Sequence, residues 1–72
     1  MIKVVECTNT DKNFHTYKIV AFSDTKAEVD TTPLDEYIGL PSNATIEMSS
    51  ILITADGDVA FMKSDNEWNW VE

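Results

Sequence analysis

The strongest constraint on the fold is a pair of β-rich runs, Ser50-Ile51-Leu52-Ile53-Thr54 and Val59-Ala60-Phe61-Met62-Lys63, joined by Ala55-Asp56-Gly57-Asp58. This spacing predicts an antiparallel hairpin. Asp56 and Gly57 are the turn residues, because Asp-Gly accepts the positive φ angles of a tight type I′ turn. A polar turn at Ser64-Asp65-Asn66-Glu67 then leads to a third run, Trp68-Asn69-Trp70-Val71-Glu72, so a three-stranded antiparallel meander is expected here.

The N-terminal half predicts a second strand pair. Ile2 to Cys7 is rich in β-branched residues, and the all-polar stretch Thr8 to Asn13 reads as a turn. From Phe14 to Phe22 the chain again favours a strand, with Tyr17, Ile19 and Ala21 on one face and Thr16, Lys18, Val20 and Phe22 on the other. Neither face is purely polar. Such a strand is expected to have something packed on each side, either its own chain or a neighbour.

Between these halves, residues 23–30 have no clear period and read as irregular, with Ser23 or Asp24 able to start a single helical turn. A short helix is expected near 33–38. Thr32 can cap it, Pro33 suits its first position, Asp35 and Glu36 favour its positive end, and Gly39 can end it. Leu34, Tyr37 and Ile38 would share one face and plug an end of the sheet. Leu40-Pro41-Ser42-Asn43 is a break. No repeat or linker interrupts the chain, so residues 1–72 read as one small, mainly β domain.

A chain of this length buries only about 60% of its unfolded surface, which leaves a thin core. Small scaffolds compensate with disulfides, a metal or a partner. One cysteine, Cys7, excludes an internal disulfide and reads as a small buried or half-buried apolar residue. With one histidine, His15, beside Cys7, a structural zinc site would have to recruit carboxylates or a second chain. A homo-oligomer or an assembly-bound chain is therefore the expected solution.

Thirteen acidic residues against five lysines and no arginine give a net charge of −8. This composition disfavours nucleic acid, whose recognition depends on clustered Lys and Arg, and it disfavours anionic membranes. No apolar run approaches the ~20 residues of a membrane span, and residues 1–6 read as a strand and not as a signal peptide. Synthesis in a cytoplasm is the expectation.

No motif assembles an active site, so no catalytic, cofactor or metal residue is assigned and a non-enzyme is expected. His15 is read as a strand residue beside two aromatics, with no Ser or Cys nucleophile motif for it to serve. Asp56-Gly57-Asp58 lacks the alternating acids and terminal Glu of a calcium loop. Asn43-Ala44-Thr45 matches a glycosylation sequon by chance. Trp68 and Trp70, two apart on a strand, share a face and make a wide apolar ledge. They either cover the domain's own core or meet a neighbour, and with Phe61, Phe22 and Tyr17 they are the interface candidates.

The block Gly39-Leu40-Pro41 together with Met48 to Trp70, a β run, an Asp-Gly turn, Val59-Ala60-Phe61-Met62, a polar turn and a Trp strand, resembles short virion proteins of tailed bacteriophages. The resemblance implies a structural subunit of the particle, a capsid or head auxiliary (decoration) protein whose partners are other virion proteins such as the major capsid protein. A tail or connector component is the next choice. It implies residence in the virion after synthesis in the bacterial host cytoplasm. The rival expectation is an acidic inhibitor that mimics nucleic acid and occupies a basic groove on a host protein.

Overall fold

The computed structural model describes residues 1–63 and 67–71. Its elements run β1 (Lys3–Asp11), β2 (Thr16–Ser23), α1 (Lys26–Thr31), a 3-10 turn (Leu34–Glu36), β3 (Thr45–Ile46), β4 (Ile51–Thr54), β5 (Val59–Lys63) and β6 (Glu67–Trp70). The protein is mainly β, as expected. The expected N-terminal pair and C-terminal meander are both present. They merge into one six-stranded sheet of order β1-β2-β4-β5-β6, with β3 also paired to β2.

The join is a parallel pairing of β2 with β4, in which Val20 aligns with Ile51 and Phe22 with Ile53. Parallel neighbours need a long crossover, and the segment from 24 to 50 supplies it. It crosses one face of the sheet, so that face is roofed and the other is not. β3 pairs with β2 in the same direction at Thr16 and Tyr17, and β4 takes over from Val20. In the gap between them the ladder is completed by a side chain. The Ile19 N–H donates to Ser50 Oγ at 2.9 Å, while the Ser50 carbonyl accepts from Met62 N–H at 3.0 Å.

β1 is longer than its sequence indicated. The polar stretch Thr8 to Asp11 continues the strand because β2 pairs with it as far as Asp11 with Thr16. Register shifts at Val5 and Thr10 bulge this edge strand, and its outer side at residues 2–4 is covered by Ile38, which accepts from Val4 N–H at 2.8 Å. Bulges and covered edges both oppose further strand addition. His15 lies in the β1–β2 turn at φ 50°, not in a strand as expected, and its carbonyl accepts from Thr45 N–H.

The expected short helix near 33–38 is a single 3-10 turn with Pro33 just before it and no side-chain cap. The α-helix falls instead in the stretch read as irregular. Thr25 caps it by accepting from Glu28 N–H at 3.2 Å, and Glu28 reaches back to Asp24 N–H and to Ser23 Oγ. Thr25-Lys26-Ala27-Glu28 thus has the sequence of a capping box, with Thr25 capping the helix as that motif does and Glu28 accepting from the residue before the cap, not from Thr25 itself. The carboxylate of Glu28 also pairs with the ammonium of Met1.

The β4–β5 connection differs from a type I′ turn. Among the described residues, positive φ outside glycine is confined to His15 and Asn43, so Asp56 does not adopt it. Gly57 alone does, at φ 93°, after a turn closed by its N–H on the Thr54 carbonyl at 3.0 Å. A turn followed by one left-handed glycine is the longer hairpin solution. Thr54 Oγ1 then accepts from Asp58 N–H. The expected turn at 64–67 lies largely outside the described residues, as does Glu72, while Glu67 opens β6.

The core sits between the sheet and its roof. Ile19 and Ala21 of β2, Leu52 of β4, and Ala60 and Met62 of β5 meet Ile2, Val29, Tyr37 and Ile46, all buried. Val4, Tyr17, Leu34, Leu40, Trp68 and Trp70 pack around them half-buried.

Candidate functional site: an open apolar sheet face

The unroofed face of the sheet is the most distinctive surface of the molecule. Alternation along a strand sends every second side chain there. The register places Val20, Ile51 and Phe61 side by side in one row across β2, β4 and β5. Phe22, Ile53 and Val59 form the next row. Val71, whose N–H donates to the Val59 carbonyl, extends the second row.

This grid is about 10 Å across, two strand spacings, and among the described residues nothing covers it. Phe22 and Phe61 retain 45% and 44% exposure, and Val71 52%. The other members are half-buried by their neighbours alone. Single exposed apolar residues are ordinary, whereas a contiguous apolar patch is a candidate contact surface.

Charge surrounds the grid in an ordered way. Lys3 aligns with Phe22 and Glu6 with Val20, which puts an opposed pair along the β1 side. Lys18 on β2 and Lys63 on β5 flank one end, with Glu67 opposite Lys63. Asp24, Asp56 and Asp58 lie at the other end, where β2 and β4 finish together at Ser23 and Thr54.

The five interface candidates divide between the two faces. Phe22 and Phe61 stand on the open grid. Tyr17, Trp68 and Trp70 point to the roofed side and pack half-buried against the core. Trp68 Nε1–H donates to the Tyr37 hydroxyl at 3.0 Å, and the Lys26 ammonium lies 5.0 Å from the ring centre of Trp70. Burial raises the Tyr37 pKa above the ordinary phenol value, and the Trp68 hydrogen bond partly opposes it.

A cleft of about 310 Å³ opens beside this pair, lined by Val29, Asp30, Leu34, Tyr37, Glu67 and Trp68 among others. Cys7, expected to be at least half-buried, is an exposed free thiol on β1, because the roof does not reach that stretch. Slight desolvation raises its pKa, away from thiolate chemistry. Among the described residues no group of three or more His, Cys, Asp or Glu side chains is arranged to hold a metal ion. Among them, too, no helix is long and apolar enough to cross a membrane.

Sequence reasoning named Phe22 and Phe61 but not Val20, Ile51, Ile53 and Val59, which complete the grid. The mixed periodicity of Phe14 to Phe22 was the available signal, since it already put Val20 and Phe22 on a face of their own. It could not say which face would be roofed. Comparison with protein-family models, curated proteins and solved structures finds no match to this chain.

Proposed function

We propose that this chain is a non-enzymatic structural subunit that works through protein–protein contacts, namely a capsid or head auxiliary protein of a tailed-bacteriophage particle. The reading is carried by one observation: the apolar grid of Val20, Phe22, Ile51, Ile53, Val59 and Phe61, which no described residue covers. A monomer that leaves such a face in water forgoes burial worth roughly 25 cal/mol per Å² of apolar surface, and a neighbouring subunit recovers it. The resemblance of residues 39–41 and 48–70 to short virion proteins supports the particle, and its major capsid protein, as the setting.

The acidic-inhibitor reading has one observation in its favour. The roof segment from 24 to 50 carries six acids and a single lysine, Lys26, and Asp30, Asp35 and Glu36 among those acids are exposed. That surface would suit a basic groove. Quantitative mass spectrometry of purified particles separates the two. A fixed stoichiometry to the major capsid protein supports the structural subunit. Absence from particles, with tight binding of a monomer to a host nuclease or polymerase, overturns it.

A further inference from the structure

Resting on that reading, we infer that the occupant of the open face is a second copy of this chain, packed sheet against sheet in an antiparallel twofold dimer. The first argument is the distribution of charge. The molecule carries −8 overall, so two copies repel through most of their surfaces. The grid is the exception: it is uncharged, and three of the five lysines, Lys3, Lys18 and Lys63, stand on the same face.

The second argument is that the pattern complements itself in one arrangement. Consider a twofold axis lying in the interface, perpendicular to the strands and passing between the two rows. It exchanges the rows while keeping each strand over its own counterpart. Phe22 then lies over Val20 of the other copy, Ile51 over Ile53, and Phe61 over Val59, so each large ring meets a smaller side chain.

The same operation sets Lys3 opposite Glu6, and Lys63 opposite the loop of Asp56 and Asp58. It also brings Lys18 to the end that carries Asp24, a carboxylate shared with the Met1 ammonium. Each contact occurs twice. An axis parallel to the strands would instead oppose Lys18 to Lys63 and Asp24 to the Asp56–Asp58 loop, and like charges across an interface are disfavoured. Sheets packed face to face keep their strands within about 30° of alignment, which an antiparallel pair satisfies. Twofold pairing also uses the same face on both copies, so this contact closes on itself and does not propagate.

Sedimentation velocity and light scattering from dilute to concentrated solution test this. The wild-type chain is expected to dimerise, and Phe61→Glu, on the exposed face, to weaken the dimer about tenfold or more while keeping the native circular dichroism spectrum. The orientation is tested by exchange of charge. Lys63→Glu and Asp56→Lys should each lose self-association, and an equimolar mixture of the two should recover a heterodimer, since every contact is then oppositely charged. A chain that stays monomeric at every concentration, or a dimer indifferent to Phe61→Glu, overturns the pairing. A mixture that fails to recover overturns the antiparallel arrangement. The outcome is separable from the particle reading. A monomer found at fixed stoichiometry in particles sinks only the self-pairing, and a dimer absent from particles sinks only the particle.

Discussion

Leu52 and Ile53 are neighbours on β4 that face opposite sides of the sheet, and truncating each to alanine measures which side holds the domain together. Leu52 is 0% exposed. Its partners across the ladder are Ala21 on β2 and Ala60 on β5, neither of which can lean in to fill a vacated space. Leu→Ala changes in cores cost about 2–5 kcal/mol, rising with the cavity that remains, so Leu52→Ala belongs in the upper half, about 3–4 kcal/mol. A chain of this length has roughly 4–11 kcal/mol of stability in all. The loss therefore approaches half of it and lowers Tm by roughly 12–30 °C. Ile53 retains water on its outer side, so Ile53→Ala leaves no closed cavity and is expected to cost about 1 kcal/mol, or roughly 4–8 °C. Thermal and urea unfolding followed by circular dichroism at high dilution, where any dimer is dissociated, reads both. Equal costs for the two variants would refute the assignment of one roofed and one open face.

Three further outcomes follow from local geometry. Gly57→Val is expected to cost about 1–3 kcal/mol from backbone strain alone, since a Cβ there meets no atom within 4 Å and only φ 93° opposes it; an unchanged urea midpoint would remove the left-handed assignment. Ser50→Ala leaves the buried Ile19 N–H without its acceptor and is expected to cost about 1–3 kcal/mol, with faster hydrogen exchange at the Ile19 amide; unaltered exchange there would exclude the side-chain bridge. Tyr37 holds its proton to higher pH in the folded chain than in the unfolded one, where it titrates near 10. Its contribution is complete below that pH and is lost as pH rises toward the elevated folded value, so Tyr37→Phe should flatten the alkaline fall in unfolding free energy; identical slopes would refute a buried phenol.

Much of the strand content was legible because β-branched and aromatic runs bounded by polar turns admit few alternatives, as at Ile51 to Thr54 and Val59 to Lys63. Thr8 to Asp11 was misread as a turn because polar composition says nothing of a partner strand, and pairing with β2 satisfies its backbone. The helix start was written in the chain as Thr25-x-x-Glu28, a local hydrogen-bond motif independent of hydrophobic period. Asp-Gly admits more than one hairpin geometry, and the choice of Gly57 alone for positive φ rests on the Thr54 hydrogen bonds on either side. Cys7 shares its face with Ile19, yet is exposed because the roof ends short of it.

Residue order alone determined that this chain makes strands, that its hairpin turns at Asp56 and Gly57, and that its surface is acidic. Those properties depend on side-chain shape, on φ preference and on charge, all of which act over a few residues. Only the tertiary structure decided that β2 and β4 run parallel, and hence that one long crossover roofs one face and leaves the other bare. Alternation assigns residues to two faces but is symmetric between them. The choice of the buried one belongs to whichever distant segment comes to lie across it.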